Sequence, residues 1–202
     1  MSDPSGRLRS MRKLHMPYLQ IASAAYYIYA AEGPKGLTMR RLAAAIGVRA
    51  SALYRHFPNK DAILDAVAGM AEQALTDEIC PPRRLRRDES DPVAAMAERA
   101  LDFAVAQPNM FQLIARRGPP RPGDRARVMR TEMQLAMTAG RIRRDDPEKA
   151  AAALWAHLCG LVSLRERGDL PPFGKGLREG WLSSADRLIH GLAEPQRFAA
   201  AA

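Results

Sequence analysis

The run RASALYRHFPNK, residues 49–60, concentrates side chains that bind anions and read flat polar edges. An arginine carries a fork of donors that fits the edge of a guanine, and an alanine can meet the methyl group of a thymine. Arg49, Ala50 and Ser51 are therefore candidates to sit nearest the base edges, with Arg55 facing outward beside them. Tyr54, His56 and Lys60, with Thr38 and Arg40 upstream, suit phosphate oxygens, which hold a protein in register without reading sequence.

Other chemistries find less to build on. Gly118 and Gly123 have the spacing of a Walker phosphate loop, but Asp124 stands where that loop needs its lysine. Gly174 and Gly176 are followed by Gly180, one residue too late for the dinucleotide fingerprint, and no strand precedes them. HExxH, CxxC and GxSxG do not occur. His157 and Cys159 lie two positions apart and diverge on a helix, so they make no metal site. The reading is of a protein that is not an enzyme and needs no cofactor.

Charge agrees with an anionic partner. The 202 residues carry a net charge of +9. Residues 1–65 hold ten Lys/Arg against four Asp/Glu, so two-thirds of the excess lies in the first third of the chain. The two cysteines, Cys80 and Cys159, make no disulfide framework and suit a reducing cytoplasm. No apolar run has the length of a membrane span. Arg7, Arg9, Arg12 and Lys13 ahead of Tyr18–Ala31 imitate a signal peptide, but Pro17, Gln20 and four tyrosines interrupt it.

The elements that must position these residues are helices; no alternating β-branched run is present. Residues 1–16 read as a flexible basic arm. Pro17 opens a helix, with Leu19, Ala22, Tyr26 and Tyr29 on one face, and Gly33-Pro34 stops it. Thr38 caps a second helix that ends at Gly47, and a third runs from about Arg49 to Phe57. Pro58 ends that one. Asn59 caps a fourth, whose stripe is Ile63, Val67, Ala71 and Leu75. Residues 38–57 thus spell helix, turn, helix, with Leu42, Ala43, Ile46, Val48 and Leu53 as the apolar brace.

The segment GLTMRRLAAAIGVRASALYRHFPNKDAILDAV, residues 36–67, resembles the DNA-binding segment of the TetR (tetracycline repressor) family. It carries the family's Thr38, Leu42-Ala43, Gly47-Val48, Leu53-Tyr54, His56-Phe57 and Lys60, and departs at Arg49, where the family often has a serine-like cap. The resemblance implies an all-α homodimer. Its three-helix DNA-binding domain (residues 17–63) would bind a palindromic double-stranded operator. A connecting helix would lead to a ligand-binding and dimerisation domain (residues 64–193), followed by a flexible tail at 194–202. It implies a repressor released by a small apolar or aromatic effector. The alternative is a nonspecific, nucleoid-type DNA binder without an effector.

Past the linker-like stretch PPRRLRRDESDP, helices are expected at about 92–107, 109–117, 124–139, 147–167 and 176–192. Phe103, Met110, Phe111, Met133, Met137 and Trp155 are candidate pocket walls, because methionine adapts to apolar ligands. From Ala150 to Leu164 only His157 and Ser163 are polar, so that helix must be covered on nearly all sides. In the last helix Leu177, Trp181, Ala185, Leu188 and Leu192 form one stripe. The resemblance assigns these two helices to the dimer interface, through Leu158, Val162, Trp181, Ala185, Leu188 and Leu192.

Overall fold

The computed structural model describes residues 4–82, 91–117, 124–169 and 175–191, and among these every regular element is an α-helix. They are α1 (Pro4–Gly36), α2 (Met39–Ala45), α3 (Ala50–Leu53), α4 (Lys60–Ile79), α5 (Pro92–Ala106), α6 (Pro108–Arg117), α7 (Asp124–Thr138), α8 (Pro147–Glu166) and α9 (Lys175–Gly191). Leu192 and the tail from 194 onward lie outside the described residues.

Two units divide the chain. One comprises the described residues up to Glu72 together with the stretch from Gln107 through α6. The other runs from Gln73 to Ala106 and resumes with α7. The division falls inside α4, nine residues beyond the boundary read from the sequence, and α6 joins the first unit rather than the second.

In the first unit, α1 starts at Pro4, thirteen residues before Pro17, and continues through the segment read as a flexible arm. It bends at Gly33, whose φ of 67° is open to glycine at little cost. A Cβ there would sit 3.0 Å from Asn109 Oδ1. Asn109 uses its amide, Nδ2 donating 2.9 Å to the Ala30 carbonyl, to satisfy the last turn before the bend. The buried face of α1 is Ile21, Ala22, Ala25 and Tyr29, whereas Leu19 is 57% exposed. The expected stripe is thus corrected by rotation of its upper half. Four tyrosines and several alanines leave the periodic signal ambiguous, and Ile21 is the residue that settles into the core. α6 contributes Met110, Phe111, Leu113 and Ile114 to the same core.

The second unit packs α5 and α7–α9 with the end of α4. Leu75, Ile79, Met96, Phe103, Met133, Leu154, Leu158 and Trp181 are among its buried large side chains. Trp181 donates from Nε1 to the Ala97 carbonyl at 3.1 Å and stacks on His157, ring centroids 5.1 Å apart. Arg178 binds both Glu98 and Asp102, fastening α9 to α5 from outside. Asp146 caps α8 by accepting from the Glu148 and Lys149 amides.

Candidate nucleic-acid interface

The reading segment is assembled by short-range bonds. Thr38 Oγ1 accepts from the Arg41 amide at 3.2 Å and starts α2. α2 stops in a Schellman motif: the Val48 amide donates to Ala43 O at 3.0 Å and the Gly47 amide to Ala44 O at 3.3 Å. That closure requires Gly47 at φ 71°. Arg49 then precedes α3 with extended backbone and no side-chain cap bond, so its guanidinium is left for solvent or a ligand. α3 is shorter than the expected 49–57, but the His56 and Phe57 amides both return to the Leu53 carbonyl at 2.9 Å and carry the turn onward.

What holds α3 in place is buried and apolar. Leu42 and Leu53 are 0% exposed, Phe57 1% and Ala43 3%. Each large side chain stabilises the unit by about 1.5–3 kcal/mol. Tyr18 of α1 stacks on Phe57 with centroids 4.5 Å apart, a brace with no sequence signal beyond an aromatic near the helix start. Two expected braces differ. Val48 is 41% exposed, because the residue after the left-handed glycine is carried outward, and Ile46 is half-buried.

Thr38, Arg40, Arg49, Ser51, Tyr54 and Arg55 are exposed, and Ala50, His56 and Lys60 are half-covered. A set of donors on a short helix held by a rigid apolar brace suits the edge of a DNA groove. Arg41, which was not expected here, is bound to Glu32. Lys60 also holds the fold together. Its Nζ donates 3.1 Å to the Pro34 carbonyl, tying the start of α4 to the end of α1. Its other two protons remain available. Asn59 Oδ1 accepts from the Ala62 amide at 2.9 Å and starts α4 as expected.

Sequence reasoning missed the role of α6 in this unit. Tyr26 donates to Gln107 Oε1 at 3.1 Å, and Arg117 binds Asp61 and Asp65 of α4 together with the Asp61 carbonyl. These partners lie 52 to 81 residues apart, where no periodicity reports them. Burial raises the pKa of Tyr26, with Tyr27 adding to it. Burial also raises that of Tyr29, against the pull of Arg116 and Arg117.

The other expected sites are redistributed. Phe103, Met110, Phe111 and Met133 are at most 1% exposed and pack within cores, and Met110 and Phe111 belong to the first unit. A fully apolar side chain gains more from close packing than from facing a void. Met137 borders a small cavity of about 150 Å³ with Leu188 and Ile189. Trp155 borders a cavity of about 470 Å³ that is also lined by Arg125, Arg127 and Arg130. Of the residues assigned to a dimer interface, Leu158, Val162, Trp181 and Ala185 are at most 4% exposed and pack inside their own unit. Leu188 is half-buried, and Leu192 and the side chain of Leu177 lie outside the described residues. The exposed face of α8 is instead a row of small residues: Ala152, Ala156, Gly160 and Ser163.

His157 accepts or donates at Nε2 to Ser184 Oγ, 2.8 Å away, and burial lowers its pKa. Burial pushes the Cys159 thiol up to about 11 despite the opposing pull of Arg125. No cluster of metal-ligating side chains occurs among the described residues, and no helix among them is long and apolar enough to cross a membrane.

A helix-turn-helix with this geometry, joined to a helical second unit, defines a DNA-binding regulator. Residues 21–67 match the model of the bacterial regulatory proteins of the tetR family, and residues 93–192 that of the tetracyclin repressor-like C-terminal domain. The chain belongs to the TetR family of transcriptional regulators. The nucleoid occlusion factor SlmA of Actinobacillus pleuropneumoniae serotype 5b (strain L20) is 32% identical over 83 residues, covering 41% of either chain. The chain thus spans less than half the length of the curated relatives it matches. A TetR-family regulator of Pectobacterium atrosepticum has the same fold, with a TM-score of 0.70 at 17% identity over 92% of this chain and 98% of that one. So does RolR, solved with resorcinol, with a TM-score of 0.66 at 13% identity over 89% and 90%.

Proposed function

We propose that this regulator is a cytoplasmic homodimeric repressor that binds a palindromic operator and releases it when a small molecule occupies the second unit. The supporting observation is the set of exposed donors, Arg49, Ser51, Tyr54 and Arg55, on an α3 whose opposite side is fully buried at Leu53. Arg49, Ala50 and Ser51 take the base edges. Thr38, Arg40, Tyr54, Arg55, His56 and Lys60 take phosphates or flank them.

Two copies bring two such helices to half-sites about one helical turn apart, roughly 34–36 Å. The small-residue face of α8 supports the pairing, because Ala152, Ala156 and Gly160 let a second helix approach closely while the unit's own core stays intact. A ligand that favours a dimer with another spacing draws the population away from DNA. RolR, with the same fold, was solved with a small aromatic ligand, which supports an effector site in this unit as well.

The name of the curated relatives favours a second reading, a nucleoid-associated protein. Selection of genomic fragments on the purified protein separates the two. A repressor enriches a few fragments sharing an inverted repeat, by roughly 10³-fold or more over random DNA. Fragments with no shared sequence would point to the second reading.

A further inference from the structure

Two cavities in the second unit share a wall. The outer one, about 470 Å³, lies between the starts of α7 and α8 and opens to solvent. Arg125, Arg127 and Arg130 border it, against the carboxylates of Asp124 and Glu148. Asp124 is engaged by Arg127, from Nη2 at 3.0 Å and Nε at 3.2 Å. Arg130 is exposed and makes no ion pair among the described residues. Arg125 is only 8% exposed, with its guanidinium carbon 3.6 Å from the centre of the Trp155 ring and Nη1 3.9 Å from the Met129 sulfur. The inner cavity, about 10 Å³, lies among apolar side chains that include Ile79, Leu158 and Trp181. It is too small and too apolar to hold a stable water. Met129 and Trp155 border both cavities.

We propose that the outer cavity binds an amphipathic anion, meaning a carboxylate, sulfonate or phosphate ester on an aromatic or acyl body. The head group lies on Arg130 and Arg125, and the body lies on Trp155 and Met129. This rests on the effector reading above and gives the effector a chemical class. A guanidinium fork matches planar oxyanions in geometry as well as charge. The formal charges around the cavity leave a surplus of one positive charge. Arg125 is already fixed against the indole, so little ordering remains to be done when an anion arrives. A neutral ligand would leave the exposed Arg130 without a counter-charge, and a bare inorganic anion would leave the apolar side of the cavity at Met129 and Trp155 without contact. Met129 is unbranched and adaptable, so it can adjust its shape to the body of the ligand.

Anilinonaphthalene sulfonate and its uncharged counterpart N-phenylnaphthylamine test this on the full-length protein, by dye fluorescence and energy transfer from tryptophan. The sulfonate is expected to bind with one site per chain and at least about tenfold more tightly than the neutral dye. Arg130→Glu, at an exposed position, is expected to weaken the sulfonate about tenfold and leave the neutral dye unchanged. Trp155→Leu is expected to weaken both. Equal binding of the two dyes, no binding of either, or indifference of the sulfonate to Arg130→Glu would overturn the proposal. Anisotropy of labelled operator, read with the same dye, tests the effector reading separately. Arg130-dependent dye binding with unchanged operator affinity would keep the site and remove its regulatory role. Operator release that ignores Arg130→Glu would do the reverse.

Discussion

The two units differ in how far apart their decisive contacts lie along the chain. In the DNA-reading unit, the cap at Thr38, the closure at Gly47, the brace of Leu42 and Leu53 and the stop after Phe57 all fall within about twenty residues. Each is a local bond or a local periodicity. In the second unit, the fastening contacts are Trp181 to Ala97, Arg178 to Glu98 and Asp102, and His157 to Ser184, separated by 27 to 84 residues. Local chemistry dictates the reading segment of the first unit, residues 38–57. The second depends on which of several apolar faces finds which partner, and the largest side chains take the inside.

Trp181→Ala is the most severe way to break that contrast. If Trp181 is a core residue of its own unit, truncation costs about 3–5 kcal/mol, measured by urea unfolding. A cost below about 1 kcal/mol would return Trp181 to the interface role that its helical stripe suggested.

Gly160→Arg sharpens the same point from outside. A Cβ at Gly160 meets nothing within 4 Å, so the single chain tolerates the change. Pressed against a second copy, the charge is expected to raise the dimer dissociation constant at least about 100-fold, as read by analytical ultracentrifugation. Leu188→Glu, at a half-buried position beside a cavity of its own unit, is expected to weaken dimerisation less than Gly160→Arg. The reverse order would place the interface on α9.

Lys60→Ala probes the first unit. Loss of one phosphate contact lowers the salt slope of binding by roughly one unit, about equally for all DNA sequences. Because Lys60 also holds the Pro34 carbonyl, a slight drop in melting temperature is expected as well. A lower melting temperature with an unchanged salt slope would make Lys60 a structural tie alone.

The smallest effect is a pH dependence in the second unit. Burial lowers the folded-state pKa of His157 below its ordinary value, so below about pH 6.5 the unfolded chain takes up the proton more readily. Stability contributed by the neutral imidazole is therefore present above that pH and lost as pH falls toward the folded-state value. His157→Gln should flatten the melting temperature between about pH 5 and 7. An equally steep curve in the variant would assign the dependence to another group.

How much of this was legible follows from the same contrast. Thr38, Gly47, Leu53, Pro58 and Asn59 declare in turn a cap, a turn, a brace, a stop and a second cap by residue type alone, and α2, the turn and the start of α4 follow. The rotation of α1 was not legible, because alanine and tyrosine fit either side of a helix until a partner chooses. The placement of α6 was hidden in Asn109, Gln107 and Arg117, polar residues whose partners are a backbone carbonyl, a tyrosine and two aspartates far away in sequence. The pattern of methionines and aromatics points to one cavity among them, yet Phe103, Met110, Phe111 and Met133 are buried in two separate units and only Met137 and Trp155 border the cavities described above. Arginines also border the larger cavity, and sequence reasoning leaves arginine on the surface by default. On α8, a helix apolar on nearly every side does not declare which side it keeps: Leu154, Leu158 and Val162 went inward, and the small residues remained outside.

The central claim, that α3 reads DNA sequence, is tested most directly by Arg49→Ala. Its affinity would be measured in parallel on the selected operator and on random DNA of equal length and at equal salt. The account predicts a loss on the order of 1–3 kcal/mol on the operator, confined to particular base positions when those are varied, with binding to random DNA nearly unchanged. An equal loss on both DNAs would move Arg49 to the phosphate backbone and contradict the claim.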